Sequence, residues 1–207
     1  TLGLPPAVTA ATGIDAMVHA IEAYTSALKK NPMSDLLARE ALRLLAANLD
    51  EAVHKGSNRE ARQAMLLGAC LAGQAFANAP VAAVHALAYP LGGNFHIPHG
   101  LSNALVLPQV LRFNVSAATT HYGELAPIIL GDRLRTDDPS TYAEQLIEEF
   151  EQMSARVGLP TRLRDAGVPE EMLPQLAKEA MLQQRLLVNN PREVTEADAL
   201  AIYQAAY

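Results

Sequence analysis

Near its start the chain reads Gly13-Ile14-Asp15-Ala16-Met17-Val18-His19-Ala20-Ile21-Glu22-Ala23. Apolar and small residues fill most positions without the two-residue alternation of a strand, so the segment predicts a helix buried on most of its faces. Asp15 and His19 lie four residues apart and therefore share one face of that helix. Taken alone, such a pair more often forms only a side-chain hydrogen bond. A buried carboxylate needs a cationic partner, however, and the nearest basic residues, Lys29 and Lys30, lie far along the helix. A cation supplied from outside the chain would meet that need.

Helix signals continue from one end of the chain to the other. Alanine and leucine are abundant, and glycine and proline fall mostly between the periodic segments. The sequence therefore predicts an all-α, multi-helix fold, with residues 1–207 as a single helical domain. We expect helices near residues 8–27, 32–53, 57–78, 80–90, 101–113, 117–130, 140–157, 170–185 and 195–206. Loops are expected at 92–100 and 131–140, and no glycine-rich phosphate loop follows a strand.

Composition excludes several classes of protein. The net charge is −6 and the basic residues are scattered, so the chain lacks the electrostatic footprint of a nucleic-acid-binding protein. Residues 63–111 contain no Asp, Glu, Lys or Arg, but polar residues and prolines interrupt them, which favours a buried helical core over a membrane span. The single cysteine, Cys70, lies among apolar residues and is expected to be a buried thiol. We expect a soluble, cytoplasmic protein, since the N-terminus has no signal-peptide pattern.

Two histidines in the charge-free stretch complete a candidate metal site. His85 lies on a helix of small residues, and His99 lies between Pro98 and Gly100 where a loop turns into a helix. A carboxylate with three imidazoles suits Fe²⁺ or Zn²⁺, so the candidate ligands are Asp15, His19, His85 and His99. The alternatives are a core histidine at 85, a capping or solvent-facing histidine at 99, and His96 as a rival ligand. His54 and His121 are expected to be surface histidines.

The same residues carry a resemblance to a known family. Three blocks are similar to signatures of the iron-containing (group III) alcohol dehydrogenases: 13–24, 85–93 with Pro98-His99-Gly100, and 190–203 near the C-terminus. The resemblance implies the all-α C-terminal domain of that family, of the dehydroquinate synthase-like type. It implies Fe²⁺ held by the four candidate ligands, hydride exchange between NAD or NADP and a small alcohol or aldehyde, and a homodimer. In the family the ion acts as a Lewis acid on the substrate oxygen.

The chain departs from the family pattern in two ways. The family also has an N-terminal α/β domain that binds the dinucleotide, and nothing in this sequence corresponds to it. We therefore expect a chain that binds metal but turns over little substrate alone. Many relatives carry a histidine near the nicotinamide where this chain has Tyr89, so Tyr89 is a candidate cofactor-binding residue, with plain packing as its alternative. Asn78, His96 and Asn103 are candidates to orient the imidazoles.

Two other functions fit the same sequence. A non-catalytic helical assembly domain would keep its histidines as core residues and bind no metal. A maleylacetate reductase-like enzyme would share the fold, although such enzymes usually lack the aspartate and the Pro-His-Gly context present here. The sequence does not identify the substrate or distinguish NAD from NADP.

Overall fold

Nine α-helices and four short 3₁₀ turns make up the chain, and there is no strand. The computed structural model describes all residues from Thr1 to Tyr207. The helices are α1 (Pro6–Tyr24), α2 (Pro32–His54), α3 (Arg59–Asn78), α4 (Ala83–Phe95), α5 (His99–Leu130), α6 (Tyr142–Arg156), α7 (Leu173–Ala180), α8 (Gln184–Leu187) and α9 (Glu196–Ala206). The all-α prediction is confirmed.

Side-chain caps fix the start of three helices. The Asn31 side chain accepts hydrogen bonds from the backbone N–H groups of Met33 and Ser34, and Pro32 occupies the first turn of α2. Asn58 caps α3 in the same way. Thr195 and Asp198 form a reciprocal cap at the start of α9. These caps supply partners for N–H groups that have none within the helix.

The prolines were poor guides to the ends of α4 and α5. Helix α4 begins at Ala83 rather than Pro80, and it continues through Pro90 to Phe95. The predicted helices at 101–113 and 117–130 form one helix, α5, which contains Pro108 and Pro127 and begins at His99. An interior proline costs a helix about 3 kcal/mol, and the burial of most of these two helices outweighs that cost. The predicted helix at 170–185 was also wrong, because it is divided into α7 and α8.

Helix α1 lies in the middle of the fold, packed against α2, α3 and α5. Ile14, Met17 and Ile21 on α1 are fully buried and belong to a core of 62 residues. Helix α4 packs between α5 and α7. This arrangement brings the middle of α1 beside the starts of α4 and α5.

The outer face of α3 differs from the sequence-based expectation. Cys70 is exposed, so the prediction of a buried thiol was wrong. The reason is that α3 turns its neighbours Leu66 and Leu67 outward as well, so apolar residues around a cysteine did not indicate burial here. No single helix has the length and hydropathy to cross a membrane. Helices α3 and α4 taken together have the length and composition of a membrane span, but the chain bends by 107° between them.

Candidate metal centre

The four predicted ligands come together from three helices. Asp15 and His19 lie one turn apart on α1, His85 lies in the first turn of α4, and His99 is the first residue of α5. One ligand atom from each lies within 4.8 Å of the other three. The Nε2 atoms of His85 and His19 are 3.1 Å apart, and Asp15 Oδ1 lies 3.4 Å from His99 Nε2 and 3.7 Å from His85 Nε2.

These separations suit a single ion. Ligands about 2.1 Å from one centre lie about 3.0 Å apart at right angles and about 3.4 Å apart in a tetrahedron. The three measured separations lie within a few tenths of an ångström of that range. Without an ion, one of the two imidazole nitrogens 3.1 Å apart would donate a hydrogen bond to the other; with both unprotonated, they can bind one ion together.

The site is buried on one side and open on the other. The side chain of His85 is 2% exposed, those of Asp15 and His19 are 17% and 21% exposed, and that of His99 is 48% exposed. The ring of Phe76, on α3, stacks on His19 with ring centroids 4.6 Å apart. A small molecule can therefore approach from the side of His99, while the ring of His85 is shielded from water.

Glu22, which the sequence analysis did not assign to the site, lies directly behind His85. Its Oε2 is 2.7 Å from His85 Nδ1, and its Oε1 accepts a 2.7 Å hydrogen bond from the backbone N–H of Val84. A signal was present in the sequence: Glu22 follows His19 by three residues and Asp15 by seven, which places all three on one face of α1. An acidic residue on that face of a buried helix needs a partner as much as Asp15 does.

No lysine or arginine faces the carboxylates of the site. Asp15 and Glu22 make contacts with imidazoles, with the Asn103 amide and with a backbone N–H, and neither contacts a lysine or an arginine. Burial by itself would lower the pKa of His85, but the hydrogen bond and charge of Glu22, helped by Asp15, outweigh it and raise that pKa. Burial lowers the pKa of His19, against the opposing pull of Asp15. Two carboxylates match the charge of one divalent ion.

Of the three residues expected to orient the imidazoles, Asn103 is the one that reaches the ligands. Its Nδ2 donates to Asp15 Oδ1 at 2.5 Å and lies 3.3 Å from His85 Nε2 and 3.2 Å from His99 Nε2. One amide nitrogen thus faces three acceptors with only two hydrogens, while Asn103 Oδ1 is buried without any hydrogen-bond partner. This shortage of donors and the orphaned oxygen fit a pocket that takes a cation.

The other candidates for orienting the imidazoles lie elsewhere. Asn78 is exposed and its amide donates to Gln74 O in the preceding turn. His96 is exposed and ends α4 in the left-handed conformation, with φ of 55°. The ligand cluster does not include it. Outside the site, His54 is exposed as expected, but His121 is half-buried edge-on against Tyr24 rather than a plain surface histidine.

Tyr89 lies at the border of the site. It follows His85 by one turn of α4, is half-buried, and has its ring centroid 6.4 Å from that of His85 and 6.0 Å from that of His99. These distances place its ring beside the exposed edge of the ligand cluster. The phenol ring therefore forms part of the wall next to His99.

Comparisons with known proteins agree with this geometry. The sequence profile described as "Fe-containing alcohol dehydrogenase family, C-terminal" matches residues 9–207. The chain belongs to this family. Long-chain-alcohol dehydrogenase 1 of Geobacillus thermodenitrificans (strain NG80-2), a relative in the family, is 46% identical over 208 residues that cover 100% of the chain. The 1,3-propanediol dehydrogenase of Klebsiella pneumoniae is 41% identical over 206 residues, again across 100% of the chain.

Solved structures of the family share the fold. The crystal structure of a 1,3-propanediol oxidoreductase superposes on the whole chain with a TM-score of 0.94 at 40% identity. The match covers 53% of that protein, and this chain likewise spans 52% of each of the two relatives named above. The chain thus spans about half the length of the curated relatives that it matches, and it corresponds to their C-terminal half.

Proposed function

We propose that this chain is the metal-binding half of an NAD(P)-dependent alcohol dehydrogenase in which Asp15, His19, His85 and His99 hold Fe²⁺, with Zn²⁺ as the second candidate. The observation that carries the proposal is the convergence of one ligand atom from each of these residues within 4.8 Å, in a member of the iron-containing family. One carboxylate and three imidazoles suit either ion. The chemistry that such an ion supplies is Lewis-acid polarisation of an alcohol or aldehyde oxygen during hydride exchange with the nicotinamide.

The chain's own residues would bind and orient the reactants. His85 presents a lone pair from a water-shielded position, while the exposed His99 borders the side from which substrate enters. Phe76 covers the ring of His19 and limits the access of water from the side of α3. Tyr89 forms the wall beside His99, and its hydroxyl would donate or accept one hydrogen bond near the nicotinamide.

The dinucleotide would be held mainly by a separate segment, corresponding to the half of the relatives that this chain does not match. Helix α3 carries exposed Leu66, Leu67 and Phe76 and no charged residue between 63 and 78, which suits a helix that is partly covered by another segment. Small-molecule alcohols or aldehydes are the proposed substrates, since the relatives named above are a long-chain-alcohol dehydrogenase and a 1,3-propanediol dehydrogenase. A homodimer in the cytoplasm remains part of the proposal.

Metal content per chain tests this function. After anaerobic purification and loading with Fe²⁺ or Zn²⁺, we expect one ion per chain by elemental analysis, and little NAD(P)-dependent alcohol oxidation by the chain alone. No bound ion would favour a helical assembly domain with core histidines. Steady alcohol oxidation by the isolated chain would contradict the proposed division of labour between the two halves.

A further inference from the structure

We infer that Glu22 is a positioning residue for this centre: its two carboxylate oxygens hold His85 in the one tautomer whose Nε2 lone pair faces the other ligands. The inference rests on the proposed metal function, which it deepens by assigning a residue outside the ligand set. It concerns the ring orientation and tautomer of His85, and Glu22 itself does not touch substrate or ion.

The hydrogen bonds around His85 define the tautomer. An ionised carboxylate only accepts hydrogen bonds, so Glu22 Oε2 at 2.7 Å requires the proton of His85 to sit on Nδ1. In the neutral ring His85 Nε2 is then unprotonated, and this atom lies 3.1 Å from His19 Nε2 and 3.7 Å from Asp15 Oδ1. Because both His85 and Glu22 are almost fully buried, water does not compete for either contact.

Glu22 also anchors the helix that carries His85. The start of α4 has no capping side chain of its own: Ala82 makes no side-chain cap and the first turn contains no acidic residue. Glu22 Oε1 fills that role from α1 by accepting the N–H of Val84, where a negative charge is favoured by the helix dipole. Since α1 also carries Asp15 and His19, one carboxylate fixes two helices of the site relative to each other.

Two acceptor oxygens at this reach are needed to satisfy both donors. Glutamine has one acceptor and one donor, so in Glu22→Gln the amide oxygen can serve either Val84 N–H or His85 Nδ1–H. If the oxygen serves Val84, the amide N–H₂ faces His85 Nδ1 and forces the proton to Nε2, where it blocks ligation. If the oxygen serves His85, the N–H₂ opposes the N–H of Val84 and the start of α4 loses its cap.

The test compares Glu22→Gln with Glu149→Gln, a matched change. Glu149 is as buried as Glu22 but lies in an ion-pair network on α6, away from the site. In ¹⁵N spectra of the metal-free wild type at alkaline pH, we expect His85, assigned by its loss in His85→Gln, to be protonated on Nδ1 only. Glu22→Gln should give a mixed or reversed tautomer and bind Zn²⁺ about 10- to 100-fold more weakly in a chelator competition, as is typical for partners of ligating histidines. Glu149→Gln should leave both measurements unchanged.

The outcomes separate this inference from the proposed function. A wild type that binds no Zn²⁺ and no Fe²⁺ overturns the metal function, whatever Glu22 does. A wild type that binds metal, with Glu22→Gln showing the same tautomer and affinity, overturns the inference and leaves the metal function standing. Should Glu22→Gln fail to fold, the wild-type spectrum still decides, because His85 protonated on Nε2 contradicts the inference without any variant.

Discussion

Two buried glutamates, Glu22 in the candidate metal centre and Glu149 on α6, are equally hidden from solvent but have different partners. Each is 4% exposed. Glu149 Oε1 lies 2.7 Å from an amino group of Arg156 and 3.1 Å from Arg133 Nε, so its charge is matched within the chain. Glu22 meets only the Nδ1 of His85 and the N–H of Val84.

The difference teaches how a structural carboxylate can be told from a functional one. Burying an ionised carboxylate is expensive, and a chain that needs it only for stability can supply an arginine, as α6 does. Around Glu22 and Asp15 no lysine or arginine is supplied, and the side chains that face the two carboxylates are imidazoles. The lack of a permanently charged partner is the strongest physical argument for a cation in this part of the molecule.

Asp15→Asn is expected to give the largest effect. The amide keeps the size of the side chain but removes one of the two negative charges and a strong ligand. Metal affinity should fall by more than the 10- to 100-fold typical of partners outside the ligand set. Chelator competition and metal per chain measure this, with Asp50→Asn as the control because Asp50 pairs with Arg156 at the other end of the chain. If Asp15→Asn bound as much metal as the wild type, the contrast between the carboxylates of the candidate metal centre and Glu149 would not reflect metal binding.

The sequence allowed the ligand set to be proposed but not its supporting contacts. Asp15 and His19 could be placed together because helix periodicity fixes which residues share a face. His85 and His99 were candidates from their place in a charge-free stretch, and the family resemblance supported them. Spacing along the chain could not bring them together with Asp15, because they lie on different helices and spacing does not determine how helices cross. Glu22 was missed although it shares the face of Asp15 and His19, since its two donors belong to α4, and only the packing of α1 against the start of α4 brings them near.

The fold was predictable in class but not in its helix ends. Caps such as Asn58 and Thr195 are local signals that lie at the starts of α3 and α9. Pro90, Pro108 and Pro127 are also local signals, but each lies inside a helix that tertiary packing sustains. Burial energy depends on which helix a segment meets, and that information is not present within a short window of sequence.

Gly100→Ala tests how tightly the backbone closes the metal end of the molecule. A Cβ atom on Gly100 would lie 2.5 Å from the carbonyl oxygen of Ala11, so α5 and α1 touch there through their backbones. Backbone atoms cannot move aside as the end of a flexible side chain can, so we expect a loss of about 3 kcal/mol in the free energy of unfolding, together with weaker metal binding at the adjacent His99. Urea denaturation and chelator competition measure the two effects.

The control for that change lies on the same helix. A Cβ atom at Gly123 meets no atom within 4 Å. Gly123→Ala should therefore raise the free energy of unfolding by about 0.5–1 kcal/mol, through helix propensity alone, and leave metal binding unchanged. Equal stability of the two variants would show that the contact between α1 and α5 is not tight.

Glu149→Gln probes the charge-matched region and should give a smaller loss of stability. Removing one partner of a fully buried ion pair costs about 3–5 kcal/mol. Arg133 and Arg156 are 42% and 33% exposed, so water can solvate them after the change, and we expect a loss of about 2 kcal/mol. Metal affinity should not change. A parallel loss of metal binding would mean that the two regions are coupled and that the contrast between Glu22 and Glu149 is not local.

Asp198→Asn should give the smallest effect, because this carboxylate also has neutral donors but lies near the surface. Asp198 Oδ2 accepts hydrogen bonds from the hydroxyl and the backbone N–H of Thr195, and these hold the pKa of Asp198 below its ordinary 3.8. A lowered pKa means that the folded state favours the charged form, so the stabilisation is present above that ordinary value and disappears as the pH falls through the folded pKa.

At neutral pH we expect Asp198→Asn to lower the free energy of unfolding by about 0.5–1 kcal/mol, and in acid the variant should match the wild type. Denaturant titrations across the acid range measure this, with the exposed Asp137→Asn as control. If Asp198→Asn remained less stable than the wild type by the same amount in acid, the cap would depend on the shape of the side chain rather than on its charge. In that case Glu22→Gln would also be expected to have a smaller effect than the loss of the Glu22 charge suggests.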